Sequence, residues 1–197
     1  MSAPGSALLA SAAEGRVRVL LGLEPAYPGA YALGPALTVQ GAGGDNLALH
    51  HALAEAAAGE VIVLAVGGEQ GVAHCGEIVA LAARRRGVAG IVLDGAIRDR
   101  DELATIGLPL FHRGCSPLGP AKAGPGALRV PVELGGVRIE PGDLVCADAD
   151  GVVVVPAAEA ETVLAAARAL VERERGIIAA IERGETTVAI YDLKELA

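Results

Sequence analysis

Short apolar runs alternate with a helical pattern in the middle of the chain. Continuous hydrophobic runs occupy 61–66 (VIVLAV) and 88–94 (VAGIVLD), which is typical of strands buried on both faces of a sheet. Between them, the loop GGEQGVAHCG precedes a helical pattern from Glu77 to Arg86. Strand, helix and strand over this length predict a βαβ unit whose two strands are parallel neighbours.

The flanking patterns extend this unit to an α/β domain. A helix is predicted from the Asp-Asn pair at 45–46, which can cap it, to a stop at Gly59. After residue 107, short apolar strands are separated by Gly and Pro turns, and the last two predict a hairpin around Asp150-Gly151. A long C-terminal helix is predicted over 157–183, and its many charged residues indicate that it lies across the sheet or reaches a neighbouring subunit.

Composition narrows the class of protein. A chain of 197 residues suits a single domain, and with only 2% aromatic residues its core must be built from Ala, Val, Leu and Ile. The net charge of −8 argues against nucleic acid, because phosphate binding needs clustered Lys and Arg. Three widely spaced cysteines, no signal-peptide pattern and no apolar stretch approaching about 18 residues predict a cytoplasmic protein without a membrane partner.

Candidate chemistry lies where the two predicted parallel strands lead into their loops. Glu77 opens the helix after the first strand, and Arg98-Asp99 follow the second. Because neighbouring strands are about 4.8 Å apart, we expect these residues within about 10 Å of one another. The amides of Ile78 and Val79 fall in the first helical turn, have no intrahelical partner and favour an anion such as a carboxylate.

The residue types at this edge suit one kind of reaction. Arg98 can grip a carboxylate or a developing enolate oxygen. Asp99, Glu77 and Glu102 are hard oxygen donors of the kind that hold Mg²⁺ or Mn²⁺. Together they suit a small 2-oxoacid that is cleaved next to its keto carbon to release an enolate. The competing interpretation is a solvated acidic turn with ordinary surface ion pairs.

Other catalytic or metal sites are less well supported. A Schiff-base lysine would need a desolvating apolar strand, whereas Lys122 lies in the Pro/Gly loop and Lys194 near the C-terminus. The four His and Cys residues at 74, 75, 112 and 115 do not have the spacing of a zinc site. We expect His74 to be a wall residue of the site and His50-His51 to be structural.

The sequence also resembles a known family. The spacing of Glu77, Arg98-Asp99 and Glu102 is similar to the signature of the class II pyruvate aldolases, the 4-hydroxy-4-methyl-2-oxoglutarate aldolases that share a superfamily with the regulator of ribonuclease activity A (RraA). Further similar segments run from residue 34 to near the C-terminus, including GPALTV, GGDN, GIVLDGAIRD, LPLFHRG, PGDLVCADADGVVVVP and ERGE. One departure is Cys75, where the family commonly has Trp.

The resemblance implies a fold and an assembly. The fold would be a single-domain layered βα sandwich of the RraA-like, swivelling-domain-like type with a long C-terminal helix, over residues 34–197. Residues 1–33 match the usual opening of the family poorly and are set apart as an N-terminal segment. The resemblance also implies homotrimers or dimers of trimers, with active sites between subunits.

The resemblance further implies a role for each residue of the signature. The counterpart of Asp99 binds the divalent metal, and that of Arg98 contacts the pyruvyl oxygen and steadies the enolate. At Glu77 the family usually has Asp, which orients metal-bound water, so the longer Glu is a metal ligand or positions water. Glu102 completes the acidic set; the regulators typically lack it.

Substrate contacts are implied on both sides of the subunit boundary. Gly76 and the amides of Ile78 and Val79 would hold the pyruvyl carboxylate. A glutamate on the C-terminal helix of the neighbouring subunit would complete the site; counting back from Gly184-Glu185 assigns it to Glu174, with Glu172 as a rival.

The function implied is a Mg²⁺- or Mn²⁺-dependent lyase that uses no organic cofactor. It would cleave 4-hydroxy-4-methyl-2-oxoglutarate-type oxoacids to pyruvate and decarboxylate oxaloacetate, since both reactions pass through the same enolate. The alternative is a non-catalytic regulator that binds a protein partner such as an RNA-degrading enzyme.

Overall fold

The computed structural model describes residues 3–194, and its largest feature is a curled nine-stranded sheet. The six helices of this range are α1 (Ser6–Ala12), α2 (Leu47–Glu55), α3 (Glu77–Arg85), α4 (Arg100–Ile106), α5 (Ala160–Glu182) and α6 (Thr187–Ile190). The strands of all three sheets, in chain order, are β1 (Arg18–Leu20), β2 (Glu24–Pro25), β3 (Ala32–Gln40), β4 (Val61–Ala65), β5 (Ala73–Cys75), β6 (Gly90–Leu93), β7 (Ala96–Ile97), β8 (Leu110–His112), β9 (Gly114–Cys115), β10 (Ala127–Leu128), β11 (Val132–Leu134), β12 (Val137–Ile139), β13 (Leu144–Asp148) and β14 (Gly151–Val155).

The sheet combines a parallel half with an antiparallel half. Its order is β1-β14-β13-β3-β4-β6-β8-β2, and β10 also pairs with β3. Strands β3, β4, β6 and β8 run parallel, whereas β1, β14 and β13 form an antiparallel meander beside β3. The α/β class is therefore confirmed, as is the pairing of β4 with β6 in the βαβ unit. The hairpin of β13 and β14 turns at Ala149-Asp150, one residue earlier than expected.

The apolar core forms layers on both faces of the sheet. Along β4, Ile62 and Leu64 pack under the helical layer, while Val61 and Val63 pack against the other side of the curl. All five residues of β4 are buried, because successive side chains enter different parts of the core. This double burial explains the uninterrupted apolar run in the sequence.

A third apolar cluster joins the two ends of the chain. Leu9 of α1 and Val163 of α5 pack on the outer face of the β13–β14 hairpin, against Cys146 and Val155. Strand β1 pairs with β14 at the edge of the sheet. The N-terminal segment 1–33 thus contributes a helix and an edge strand to the same core.

The C-terminal helix begins with a 3₁₀ turn at Ala157–Glu159 and continues as α5, close to the predicted limits. Its first half packs on the hairpin, but beyond Leu170 its side chains are mostly exposed, including Ile178 and Ile181 at 54% and 45%. Within residues 3–194, no helix is long and apolar enough to cross a membrane.

Candidate active site

A small parallel sheet brings the two predicted loops together. Strands β5, β7 and β9 pair side by side in the order β5-β7-β9, with β5 leading into α3 and β7 into α4. The backbone N–H of Arg98 donates to the carbonyl of Cys75 at 3.0 Å. The sequence pattern predicted a loop over 67–76, and β5 and this second sheet were therefore not predicted. Strands of two or three residues are held by pairing with distant segments and carry too little pattern to be predicted.

Asp99 connects the two loops through its side chain. Its Oδ2 accepts a hydrogen bond from the backbone N–H of Glu77 at 3.0 Å, although Asp99 itself precedes α4. Asp99 has a left-handed backbone (φ 59°), which costs an L-residue about 1 kcal/mol. The residue before α3 is Gly76, which has no side chain to cap the helix. Asp99 therefore supplies the negative charge that a helix N-terminus favours.

Gly76 is required here by close approach. A Cβ placed on Gly76 would lie 2.4 Å from Oδ2 of Asp99 and 2.9 Å from Cγ of Arg98. Its backbone is extended, so conformational strain is not the reason for glycine. Only a residue without a side chain lets Arg98 and Asp99 pack against the start of α3.

Arg98 presents its charged end to the cleft. Its Nε lies 3.5 Å from Oδ2 of Asp99, and its side chain remains 40% exposed. A Cβ on Gly119 would lie 3.0 Å from Nη1, so the Pro/Gly loop passes directly over the guanidinium group. Within residues 3–194 its ion pair uses Nε and neither Nη group donates a hydrogen bond, so the guanidinium group keeps donors for an anionic ligand.

The opposite wall comes from the start of α2 and the Pro/Gly loop. Together with the α3 side, these segments line a cleft that is open to solvent. The Oδ2 atom of Asp45 accepts hydrogen bonds from the N–H groups of Ala123 and Gly124 at 2.6 and 2.7 Å, which holds the loop against α2. The side chains that line this part of the cleft are Asn46, His50, His74, Pro120 and Lys122.

Burial lowers the pKa of the histidines of the cleft and so favours their neutral form. It is the largest cause that lowers the pKa of His50, with the Lys122 cation adding to the effect. Burial likewise lowers the pKa of His74, against the opposing pull of the Glu69 and Asp45 carboxylates. Burial also raises the pKa of Cys75 to about 12, so this thiol remains protonated at neutral pH.

The structure divides the residues singled out in the sequence between three places. The cleft itself is lined by Gly76, Ile78, Val79, Arg98 and Asp99. Glu77 and Glu102 instead line a shallow neighbouring groove between α3 and α4. Glu172 and Glu174 lie on the exposed half of α5.

The carboxylates do not form a complete metal centre in one subunit. Among residues 3–194, no three His, Cys, Asp or Glu side chains converge so that they could hold an ion. Asp99 still fits the role of an anchoring ligand, since its Oδ1 accepts no hydrogen bond from the described part of the chain. Mg²⁺ is commonly held by one or two carboxylates and retained water, so a site anchored by Asp99 suits its chemistry.

Most residues of the second wall were not predicted from the sequence. His50 was assigned a structural role, yet it lines the cleft with Asn46 and Lys122, while His74 lies in the wall as expected. One signal was available, because Asn46 and His50 are four residues apart and share a face of α2. Placing Lys122 required knowing that Asp45 ties the Pro/Gly loop to this helix.

Comparison with known proteins identifies the family of the chain. Residues 9–154 match the RraA-like family described as aldolase/RraA, so the chain belongs to that family. A relative from Halalkalibacterium halodurans, provisionally named a 4-hydroxy-4-methyl-2-oxoglutarate aldolase, is 41% identical over 160 residues, covering 81% of this chain and 76% of the relative.

Solved structures show the same fold. A protein of unassigned function from Pseudomonas syringae superposes with a TM-score of 0.82 at 35% identity, over 93% of this chain and 86% of that one. The RNA-processing inhibitor RraA from Thermus thermophilus gives a TM-score of 0.72 at 30% identity, over 79% of this chain and 94% of that one. The layered α/β fold with a long C-terminal helix is therefore that of RraA-like proteins.

Proposed function

We propose that this protein is a divalent-metal-dependent lyase that cleaves 4-hydroxy-4-methyl-2-oxoglutarate-type 2-oxoacids to pyruvate. The observation that carries the proposal is the contact of Asp99 with the first amide of α3, beside the guanidinium group of Arg98. It combines a carboxylate with one free oxygen, a cation and a helix N-terminus at one wall of a cleft. The name of the relative from H. halodurans supports the same substrate class.

The start of α3 would bind the pyruvyl carboxylate. The amides of Ile78 and Val79 make no hydrogen bond to the described residues, and they point out of the first turn of a nine-residue helix. Such amides favour an anion, and Arg98 beside them would donate to the keto oxygen. The 2-oxoacid end of the substrate is thereby held at this wall.

Cleavage then transfers charge toward Arg98. A water molecule takes the proton of the C4 hydroxyl group and returns one to C3 after cleavage. The C3–C4 bond breaks, and its electron pair leaves negative charge on the C2 oxygen of the departing enolate. Arg98 stabilises that charge, and protonation of C3 gives pyruvate while C4 becomes the carbonyl of the second product. A Mg²⁺ or Mn²⁺ ion anchored by Asp99, with Glu77 and Glu102 nearby, would supply Lewis acidity to the same oxygens.

Oxaloacetate decarboxylation is the expected companion activity. Breaking the C3–C4 bond of oxaloacetate releases CO₂ and leaves the same pyruvate enolate. Arg98 and Asp99 would serve this reaction in the same positions, so the site needs no rearrangement.

We further propose that a neighbouring subunit in a homotrimer or homohexamer completes the site. Ile78 and Leu81 on α3 and Ile178 and Ile181 on α5 are exposed apolar residues that a second copy could cover. Glu174 is the better candidate for the residue contributed across that contact. Within residues 3–194 it forms no ion pair, whereas its rival Glu172 bonds to Arg175 at 2.6 Å.

A cytoplasmic location is part of the proposal. All three cysteines, at 75, 115 and 146, are free thiols. Free thiols persist in reducing compartments, which supports this location.

The test is pyruvate release from 4-hydroxy-4-methyl-2-oxoglutarate and from oxaloacetate, with Mg²⁺ or Mn²⁺ and with EDTA. We expect metal-dependent turnover of both substrates, and a fall of about 100- to 1,000-fold in kcat for Asp99→Ala. Asp150→Ala is the matched control, because this carboxylate lies in the turn of the β13–β14 hairpin and should leave activity unchanged. Turnover that survives EDTA would contradict the metal dependence.

A second candidate function is a regulator that binds a protein. It is favoured by the structural neighbours named as an RNA-processing inhibitor and as a member of an RNase ES inhibitor family, at 30% and 32% identity. Absence of turnover with both substrates, in folded wild-type protein, would favour the regulator over the lyase.

A further inference from the structure

Two polar atoms in the wall formed by α2 have no partner within residues 3–194. Asn46 is only 5% exposed, and its Nδ2 donates to the carbonyl of His74 at 3.0 Å, but its Oδ1 accepts no hydrogen bond. Nε2 of His50 is also buried without a partner. Both ring nitrogens of His74, which lines the same wall, are likewise buried without a partner among these residues. An unsatisfied buried polar atom costs free energy, so such atoms in the wall of one cleft indicate groups that a ligand satisfies.

The local structure fixes what these atoms can recognise. Because Nδ2 of Asn46 is committed to His74, the free atom of its amide is an acceptor and needs a donor from the ligand. His50 follows one helical turn later, and its backbone N–H donates to the backbone carbonyl of Asn46 at 3.2 Å. Its ring is neutral, so Nε2 can share a hydrogen bond with a hydroxyl group.

The charge beside them suits an acid. Lys122 lines the same wall and is held there by the backbone, since the carbonyl of Ala121 accepts a hydrogen bond from Asn46 N–H at 3.0 Å. This wall presents a hydrogen-bond acceptor, an imidazole ring and a cation. These groups are complementary to a substrate carbon that carries both a hydroxyl group and a carboxylate. Arg98 and the α3 amides already account for the 2-oxoacid end of a substrate at the opposite wall.

We propose that Asn46 and His50 are specificity residues that bind the C4 hydroxyl group of the substrate, next to a distal carboxylate paired with Lys122. The inference rests on the proposed lyase function and deepens it. In oxaloacetate C4 is itself the carboxylate, so it can pair with Lys122 but offers Oδ1 of Asn46 no O–H donor. Asn46 and His50 therefore separate the aldol substrate from the decarboxylation substrate within one site.

The experiment compares both reactions in Asn46→Ala and His50→Ala. We expect kcat/KM for 4-hydroxy-4-methyl-2-oxoglutarate to fall by about 10- to 100-fold, and that for oxaloacetate to change by less than about threefold. His51→Ala is the matched control, because His51 is exposed on the same helix and lines a different groove. Competitive inhibition by 2-oxoglutarate, which lacks the hydroxyl group and is not cleaved, gives a binding readout: its inhibition constant should be the same in the variants as in the wild type.

A fall of both reactions in the same proportion would assign Asn46 and His50 a structural role and overturn the inference. Unchanged kinetics for the hydroxylated substrate would overturn it as well. Failure of the proposed function looks different, because wild-type protein would then turn over neither substrate.

Discussion

The two walls of the cleft are built in different ways. Gly76, Arg98 and Asp99 follow paired strands, and backbone hydrogen bonds between β5 and β7 fix their positions. Asn46 and Lys122 instead depend on a loop that the side chain of Asp45 ties to α2. Groups that must be placed accurately for bond cleavage are best supported by regular structure, whereas loops vary more readily. In the proposed lyase, the first wall therefore suits the step common to both reactions, and the second suits selection among substrates.

Among the substitutions that test the difference between the two walls, Gly76→Ala is expected to have the largest effect on kcat. The added Cβ would meet the Asp99 carboxylate at 2.4 Å and displace it together with Arg98. Because misplacement by about 1 Å can cost about 100-fold, we expect kcat for both substrates to fall by about that factor. The measurement is steady-state kinetics with aldol substrate and oxaloacetate, beside a thermal unfolding curve.

Gly43→Ala is the matched control, since a Cβ there would make only ordinary contacts from 3.4 Å. If Gly76→Ala kept full activity, the close packing of Gly76, Arg98 and Asp99 would not matter for the reaction.

The first wall was largely predictable from the sequence and the second was not. Glu77 and Asp99 could be placed near each other because two apolar runs predict neighbouring parallel strands. The ends of the helices and strands then follow from the hydrophobic periodicity and the positions of glycine residues. Glu77 nevertheless lines the groove of Glu102, while its backbone N–H donates to the Asp99 carboxylate. Lys122 lies in a Pro/Gly loop whose path depends on tertiary hydrogen bonds, which no local pattern encodes.

Lys122→Gln is expected to have an intermediate effect, mainly on KM, and it tests whether the second wall binds the substrate rather than cleaving it. Removing the cation should raise KM for both dicarboxylic substrates by about tenfold. For the aldol substrate kcat should fall much less, because its distal carboxylate keeps its charge before and during cleavage. For oxaloacetate kcat should not fall, because the distal carboxylate loses its charge as it leaves as CO₂. Kinetics with both substrates give KM and kcat separately. A rise in KM for both substrates distinguishes Lys122 from Asn46 and His50.

Lys194→Gln is the matched control, since Lys194 is exposed at the end of the described chain. A loss confined to kcat would place Lys122 in the cleavage step and would erase the distinction between the two walls.

The smallest effect is expected from Asp45→Asn, which tests how the second wall is held. The hydrogen bond from the Ala123 amide is the largest cause that lowers the pKa of Asp45, followed by that from Leu47. Because its pKa is lowered in the folded protein, the ionised carboxylate stabilises the folded loop at pH values above the ordinary pKa of Asp. This contribution is lost only as the pH falls through the lowered pKa. Protection of the Ala123 and Gly124 amides, corrected for intrinsic exchange, should therefore stay constant from about pH 8 to about pH 5 in the wild type.

In Asp45→Asn, one carboxylate oxygen is replaced by an NH₂ group that cannot accept from these amides. Hydrogen exchange at Ala123 and Gly124 should accelerate by about tenfold or more, while the Arg98 amide, bonded to the Cys75 carbonyl, should exchange at the wild-type rate. Faster exchange at Arg98 as well would mean that the two walls open as one unit. Activity toward both substrates should fall only a few-fold, because the loop loses part of its attachment while Arg98 and Asp99 keep theirs.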